Sequence, residues 1–275
     1  MTTRTEVALP PIAGYHPTTL IDWPGRLAAI IFLPRCNLRC RFCHAGPLLA
    51  DPAEVIPLEA VLDSLVSRQG WLDGVVVCGG EPTLWPGLAE LCRRLRAVGG
   101  PGAPARPGDG GAAGAGPAPL PVKLDTNGTR PEVLESLLAE GLVEAVSMDL
   151  KAPLDGRYAR VCGVPRVDLD ALRRSIRLLL DSKVEVEFRT TVVPGLVGEE
   201  EIQAMGPAIA GAPLWTLQPF EPAHALDPAL RRVPPYPPER MAALADLARR
   251  YVARCRVRGQ ATSGAAGPAQ TAPSG

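Results

Sequence analysis

The sequence has no excess of charge of either sign and no long hydrophobic segment. Its 275 residues carry 29 Lys and Arg against 29 Asp and Glu, without a long basic run. A broad electrostatic surface for nucleic acid is therefore not expected. The longest uninterrupted apolar run, Leu27 to Leu33, has seven residues and is too short to cross a bilayer. The first residues lack the apolar core of a signal peptide, so we expect a cytoplasmic protein without a nucleic-acid or membrane partner.

The sequence also lacks the evenly paired cysteines of a disulfide framework. It has seven cysteines, an odd number, and three of them lie within eight residues. In a reducing compartment such a cluster is typical of metal binding or catalysis. The spacing of the three cysteines is therefore the first place to look for chemistry.

Alternating strand and helix patterns predict the fold class. Short apolar, β-branched runs predict strands, and stretches with helical periodicity lie between them. This alternation favours an α/β fold with a parallel sheet and outer crossover helices, either open or barrel-like, with about six units. The predicted strands are residues 27–33, 74–78, 122–125, 145–150, 184–193 and 214–218.

Helix ends carry their own signals. Asp168 is a suitable N-cap for a helix, and Pro131 and Gly141 are placed to open and close another. The predicted helical stripes cover residues 58–66, 131–141, 169–179 and 241–252. Two segments rich in Gly, Ala and Pro or in small polar residues fall outside this pattern. Because they cannot bury enough apolar surface, we predict a flexible insertion at 99–121 and a disordered tail at 257–275.

Cys36, Cys40 and Cys43 form a CxxxCxxC pattern directly after the first predicted strand. Three thiolates can hold one cubic iron–sulfur cluster through three of its irons, which leaves the fourth iron open for chemistry. A zinc site with His44 as fourth ligand is the alternative, although no second cysteine pair is present. The other four cysteines are interpreted as small buried hydrophobes: Cys78, Cys92, Cys162 and Cys255.

The motif, with Phe42 before its last cysteine, resembles the radical SAM enzymes. The Gly79-Gly80-Glu81-Pro82 segment resembles the GGEP motif of that family at the end of the second predicted strand. The resemblance implies a partial (β/α)6 barrel over residues 13–256 that contains the 99–121 insertion. It also implies a [4Fe-4S] cluster on the three cysteines and S-adenosylmethionine (SAM) bound to the open iron. Reductive cleavage of SAM would then give a 5′-deoxyadenosyl radical that abstracts a hydrogen atom.

The same resemblance implies a set of SAM contacts. Glycines at 79 and 80 would let the backbone approach the methionyl end of SAM, and Glu81 would accept from its ammonium group. Phe42 would pack near the adenine. Arg189 lies in an apolar strand, where a buried guanidinium needs a partner. The full implied set is Phe42, Gly79, Gly80, Glu81, Asn127, Lys151 and Arg189.

Three further segments resemble the glycyl-radical-enzyme activating enzymes. They are Asp22-Trp23-Pro24-Gly25, Asp125-Thr126-Asn127-Gly128 and Met148-Asp149-Leu150-Lys151. This resemblance implies that Asp125, Thr126 and Asp149 hold a monovalent cation beside the SAM carboxylate. For the 125–128 segment, an Asx-type turn before the next helix is an equally good interpretation.

Leu217-Gln218-Pro219-Phe220 resembles the strand ending of the anaerobic ribonucleoside-triphosphate reductase activating proteins. That resemblance implies a glycyl-radical protein as substrate and a flavodoxin- or ferredoxin-type electron donor. The sequence departs from the family at Arg35, where relatives often have Gly, and at Ala45, where they often have Asn.

Two other functions remain open at this point. One is a radical SAM enzyme that acts on a small molecule, as 7-carboxy-7-deazaguanine synthase does. The other is a non-catalytic iron–sulfur or zinc protein. Arg35, Arg39 and Arg41 form either a docking patch for a partner or an ordinary solvated surface.

Overall fold

The computed structural model describes residues 7–52, 54–99 and 118–259. These residues form one eight-stranded sheet in the order β1 to β8, in which β1 is antiparallel to β2 and all later pairs are parallel. The predicted α/β architecture, a partial barrel of parallel strands, is confirmed. The strands are β1 Gly14–Thr19, β2 Ala28–Leu33, β3 Gly74–Gly79, β4 Val122–Thr126, β5 Ala145–Asp149, β6 Glu185–Val192, β7 Trp215–Pro219 and β8 Cys255–Val257.

Helices follow most of the parallel strands and cover the outside of the sheet. They are α1 Leu58–Val66, α2 Leu88–Ala97, α3 Pro131–Ala139, α4 Gly156–Val161, α5 Leu169–Leu180, α6 Glu199–Met205 and α7 Pro238–Ala248. Short 3₁₀ turns lie at Gly46–Leu49, Pro82–Leu84, Gly206–Ile209 and Leu230–Arg232. In the described part of the chain, no helix is both long and apolar enough to span a membrane.

All six predicted strands are present, as β2 to β7, within two residues of their predicted ends. They could be recognised because parallel strands covered on both faces are rich in apolar and β-branched residues, although β4 to β7 also contain charged or polar residues. The edge strands β1 and β8 were not predicted. Neither has the apolar run of a central strand: β1 contains Pro17 and is only half-buried, and β8 has three residues. Edge strands of this kind carry weak sequence signals.

The predicted helix ends are confirmed at two places and wrong at one. The Asp168 carboxylate accepts hydrogen bonds from the amides of Asp170 and Ala171, both at 3.0 Å. Pro131 opens α3, and Gly141 follows its end with a φ of +62°. The last helix ends at Ala248, however, so the apolar residues at 251 and 252 pack from a turn after it.

The carboxyl-terminal limit of the predicted core was set too early. Val257 lies in β8, where it is buried and pairs with Leu217, so it does not begin a disordered tail. The end of the predicted insertion is also ordered, since Leu120 is buried and the Pro121 carbonyl accepts from the Val75 amide at 2.9 Å. The rest of these two segments, residues 100–117 and 260–275, lies outside the described residues.

Trp23, from the turn between β1 and β2, closes the amino-terminal end of the barrel. It packs with residues near the starts of β2, β3 and β5, and its Nε1 donates to the Glu185 carboxylate at 3.2 Å. The Arg26 guanidinium carbon lies 4.7 Å from the ring centroid. Gly74 makes room for the indole, because a Cβ there would lie 2.6 Å from the Trp23 ring. The strand ends at the opposite, carboxyl-terminal side remain open to hold a site.

We expect Trp23→Ala to destabilise the protein by about 4 kcal/mol, because it leaves a cavity at the closed end of the barrel. Trp71 is 78% exposed, so Trp71→Ala is a matched control that should change the free energy of unfolding by less than about 0.5 kcal/mol. Urea unfolding followed by circular dichroism measures both. Equal, small effects of the two substitutions would contradict this role of Trp23.

Candidate active site

A cavity of about 390 Å³ lies at the carboxyl ends of the parallel strands. Its wall contains every residue predicted for the site with the single exception of Glu81. Residues from the loop after β2 and from the ends of β3, β4, β5 and β6 therefore converge on one space. Their roles toward a cluster or SAM stay predictions, but their common location is a property of the fold.

The loop that carries the three cysteines is fixed by the segment after α4. The amides of Arg39 and Arg41 donate to the carbonyls of Cys162 and Val161, at 2.9 and 3.1 Å. Gly163, with a φ of +61°, permits this approach, because a Cβ there would lie 2.1 Å from the Arg39 carbonyl oxygen. These hydrogen bonds hold the backbone of the loop against the end of α4, independently of any group that the three thiols bind.

The three thiols differ in their electrostatic surroundings. Burial raises the pKa of Cys36 to about 11 and also raises the pKa of Cys43. A hydrogen bond with the Cys162 thiol lowers the pKa of Cys40 to about 7. Since the thiolate is the form that binds metal, the raised pKa values of Cys36 and Cys43 oppose metal binding, and a positive charge close to these thiols would favour it.

The cysteine set fits an iron–sulfur cluster better than a single zinc ion. A zinc site needs four ligands that converge on one point, whereas a cubic cluster binds each cysteine through a different iron. Across residues 7–52, 54–99 and 118–259, no three Cys, His, Asp or Glu side chains are grouped around a single-ion position. Cys36, Cys40 and Cys43 instead line one cavity from separate positions, which suits a larger group.

The other four cysteines were all predicted to be buried hydrophobes, and one of them is not. Cys92, Cys162 and Cys255 are buried. Cys78 is only partly buried, because it lies at the end of β3 on the cavity wall beside Gly79. Arg258 and Asp22 also line the cavity, and Arg258 was missed because it follows the last predicted element.

Arg35 takes the backbone conformation that glycine prefers. Its φ is +66°, the single positive value among the described non-glycine residues. Its carbonyl accepts from the Glu81 amide at 2.8 Å, and its amide donates to the Leu48 carbonyl at 2.7 Å. The side chain stacks at 5.1 Å over Trp85 and forms a two-point ion pair with Asp51 at 2.6 and 2.7 Å. Where relatives often have Gly, this chain thus has an arginine with a strained backbone, and contacts of its side chain hold it in that conformation.

The three arginines around the cluster loop do not form an unpaired basic patch. Arg41 pairs with Asp227 at 2.7 Å, just as Arg35 pairs with Asp51. The Arg39 guanidinium donates to the carbonyls of Cys36 and Leu38, at 2.6 and 2.8 Å. The three arginine side chains therefore stabilise the loop and its surroundings. These contacts do not support the interpretation of the arginines as a docking patch for a partner.

Glu81 does not face the cavity, which corrects its predicted contact with the SAM ammonium group. It is fully buried, and one carboxylate oxygen accepts from the Thr83 amide at 3.1 Å and from the hydroxyls of Thr83 and Thr126 at 2.5 and 2.7 Å. The other accepts from the Asn127 amide at 2.6 Å. Burial raises the pKa of the Glu81 carboxyl, although these hydrogen bonds act to lower it. Glu81 therefore ties the end of β3 to the end of β4.

Gly79 and Gly80 line the cavity, but the protein itself requires them to be glycine. Gly79 has a φ of +141°, and a Cβ there would lie 2.0 Å from the Leu33 carbonyl oxygen. A Cβ on Gly80 would lie 2.0 Å from the Arg35 carbonyl oxygen. Close packing of β3 against β2 and the cluster loop therefore explains why both residues are glycine. The motif predicted a different reason, namely room for the methionyl end of SAM.

Asn127 both forms a turn and reaches the cluster loop. Its side-chain oxygen accepts from the Thr129 amide at 3.0 Å, which confirms the Asx-type turn. Its side-chain nitrogen donates to the Asn37 oxygen at 2.9 Å and lies 3.9 Å from the Cys36 sulfur. The turn thus orients the amide toward the predicted cluster ligand.

The two aspartates predicted to hold a monovalent cation are bridged by Arg189 instead. Arg189 donates to Asp125 at 2.7 Å through Nη1 and to Asp149 at 2.9 Å through Nε. The hydroxyl of Thr126, the third predicted ligand, donates to Glu81. Burial lowers the pKa of Arg189, but the charges of Asp125 and Asp149 outweigh it and raise the pKa well above its usual value. The donor set does not fit a metal ion, because an organic cation occupies the place between the carboxylates.

Lys151 reaches the same cavity from the other side. Its Nζ lies 3.2 Å from Asp149 and 5.9 Å from the centroid of the buried Phe42 ring. The phenol of Tyr158 lies within 3.4 Å of both the Asp149 carbonyl and the Lys151 amide, which holds this strand end in place. A positive side chain and an aromatic face therefore meet within reach of the cysteines.

A family model of the radical SAM superfamily matches residues 30–205, which is more than half of the chain. The chain belongs to the radical SAM superfamily. Enzymes of this superfamily use a [4Fe-4S] cluster and SAM, and these are therefore the cofactors of this enzyme. Cys36, Cys40 and Cys43 are the residues that would hold the cluster.

The enzyme is similar to proteins with different stated activities. A Methanocaldococcus jannaschii protein named as a glycyl-radical enzyme activating enzyme is 28% identical over 88% of this chain and 92% of its own length. A GTP 3′,8-cyclase of Pelotomaculum thermopropionicum is 28% identical over 66% of this chain and 50% of its own length. The solved structure of Streptococcus suis SuiB bound to S-adenosylmethionine has a TM-score of 0.52 at 13% identity, and covers 84% of this chain and 52% of SuiB. The chain spans about half the length of the cyclase and of SuiB, and the likeness to SuiB shows the fold.

We expect Arg35→Gly to be more stable than Arg35→Ala. Both substitutions remove the side chain, but only glycine relieves the cost of a positive φ. The melting temperature of Arg35→Gly should be higher by about 3 °C, which differential scanning calorimetry resolves. Equal melting temperatures would show that the loop relaxes to a negative φ and that its backbone is not constrained as described.

Glu81→Gln should lower the free energy of unfolding by about 2 kcal/mol, because an amide nitrogen cannot accept from the Thr83 or Asn127 backbone. Glu59 is exposed on α1, and Glu59→Gln is the matched control with an expected change below about 0.5 kcal/mol. Chemical unfolding of both variants measures the difference. If Glu81 served only to bind a ligand, Glu81→Gln would leave the free energy of unfolding unchanged. That result would contradict the structural role described here.

Proposed function

We propose that this enzyme installs a glycyl radical on a protein substrate, and that this substrate is an anaerobic ribonucleoside-triphosphate reductase. The observation that carries the activase proposal is the full-length similarity to the Methanocaldococcus jannaschii protein, which extends over nearly all of both chains. The ending of β7 at Leu217–Phe220 supports the reductase as the substrate. When bound, the cluster and SAM supply a 5′-deoxyadenosyl radical that abstracts a hydrogen atom.

The protein contributes a cavity with a charged wall and an open side. Lys151 and Arg189 present positive groups suited to a carboxylate, and Phe42 presents an aromatic face. Within the described residues β1 and β8 do not pair with each other, so the barrel has a lateral gap between its first and last strands. Asp22 and Arg258 line the cavity and form an ion pair at 3.0 Å between the β1–β2 turn and the end of β8. A polypeptide loop would reach the cavity at this gap when the Asp22–Arg258 ion pair opens.

A small-molecule substrate is the second candidate. The GTP 3′,8-cyclase similarity favours it, but that similarity spans only half of the cyclase. A 7-carboxy-7-deazaguanine synthase-like reaction belongs to the same alternative.

The physiological electron donor is proposed to be a flavodoxin or ferredoxin.

Anaerobic reconstitution tests the chemistry. We expect four irons per chain and dithionite-dependent formation of 5′-deoxyadenosine from SAM, both lost in Cys36→Ala. Cys92 is buried in α2 away from the cavity, so Cys92→Ala is the matched control and should keep cluster and cleavage. Loss of the cluster in both variants, or in neither, would contradict the assigned ligands.

The substrate is tested by mixing the reduced enzyme and SAM with an anaerobic ribonucleoside-triphosphate reductase. A glycyl-radical doublet in the EPR spectrum of the reductase is the expected result. Formation of 5′-deoxyadenosine without this doublet would overturn the reductase assignment. Consumption of GTP or of a deazaguanine precursor in parallel reactions would then favour the small-molecule alternative.

A further inference from the structure

Three positive groups and two carboxylates form one connected network inside the barrel. Asp125 accepts from Lys123 and from Arg189, each on a different oxygen. Asp149 accepts from Arg189 and from Lys151, again on different oxygens. Every oxygen of the two aspartates thus already faces a cationic donor. Farther from the cysteines, Glu187 accepts from Arg256 at 2.7 Å.

Lys123 is the member of this network that the fold does not explain. It lies in β4, and strand alternation places its side chain on the same interior face as Asp125. Only 3% of its surface is exposed, so its ammonium group has lost nearly all contact with water. A buried ammonium group is costly unless it is paired, and a hydrocarbon side chain would fill this interior position without that cost. Lys123 has one hydrogen-bond partner among the described residues, and that partner is Asp125.

The charges of the network explain what Lys123 provides. Three cations against two carboxylates leave one uncompensated positive charge, from Lys123, Lys151 and Arg189 against Asp125 and Asp149. SAM brings one carboxylate together with an ammonium and a sulfonium group, so excess positive charge at this place favours its carboxylate end. A metal cation added beside Asp125 and Asp149 would increase the positive charge further, and would compete with Lys123, Arg189 and Lys151 for the same oxygens.

We propose that the Lys123 ammonium group, through its pairing with Asp125, removes the need for a monovalent metal ion at the two aspartates, so that the enzyme binds SAM without potassium or sodium. Lys123 is a positioning residue: it neutralises one side of Asp125, which keeps Arg189 between the two aspartates and leaves Lys151 and Arg189 for the SAM carboxylate. The inference rests on SAM binding in this cavity and not on the identity of the protein substrate.

The wild-type holoenzyme gives the first test. SAM affinity is measured by equilibrium dialysis, and by the change that SAM causes in the EPR spectrum of the reduced cluster. The buffers contain potassium chloride, sodium chloride or choline chloride at equal ionic strength. We expect dissociation constants that agree within about twofold among the three salts. A loss of more than about fivefold in choline would overturn the proposal without any variant.

Lys123→Met gives the second test. Without its ammonium group, Asp125 regains a free oxygen, and the site should become dependent on an added cation. SAM affinity should fall about tenfold in choline chloride and return to within about twofold of wild type in potassium chloride. The melting temperature of the variant should likewise be higher in potassium than in choline. Lys183 is exposed, and Lys183→Met is the control that should show no salt-specific change.

Equal loss of affinity in all three salts would mean that Lys123 serves only the packing of the barrel, and would overturn the proposal. Should Lys123→Met fail to fold, the wild-type salt comparison still decides. Both measurements require only SAM, so a failed reaction with a ribonucleotide reductase leaves this result unaffected, and the two proposals fail independently.

Discussion

The Arg189 guanidinium between Asp125 and Asp149 is the interaction on which the site depends. Asp125 and Asp149 lie at the ends of β4 and β5, and Arg189 lies in the neighbouring strand β6. Two carboxylates so close together would repel each other without a cation between them. A planar guanidinium can donate in two directions at once, whereas a lysine ammonium group at the same position is a compact point charge. The contact thus fixes the spacing of β4, β5 and β6 at the end where the cavity forms.

The sequence predicts the central part of the fold well because burial and chemistry coincide there. β2 and β3 are almost entirely apolar, and β4 to β7 keep enough apolar and β-branched residues that each can be recognised without knowledge of its neighbours. β1 and β8 cannot be recognised in this way. Pro17 and the half-buried pattern of β1 are typical of a loop, and β8 is held mainly by its pairing with β7. That pairing is a long-range contact, which no local pattern records.

The site was predictable as a set of residues but less so as a set of roles. Motifs at strand ends meet because parallel strands share one carboxyl edge, so the convergence of the cysteines with Asn127 and Lys151 follows from the topology. The direction of a side chain does not follow. Glu81 turns toward Thr126 rather than the cavity, and Gly79 is required by the backbone of Leu33. Both facts depend on how β3 packs against its neighbours.

The closed end of the barrel at Trp23 has a consequence for the order of events in a catalytic cycle. In the described part of the chain, the indole and its contacts with Glu185 and Arg26 cover the barrel at the amino-terminal ends of the strands. Molecules that reach the cavity must therefore share the remaining entrances. The proposed protein substrate, seated over the lateral gap, would cover one of these routes, so the nucleoside cofactor would enter most readily before that partner binds.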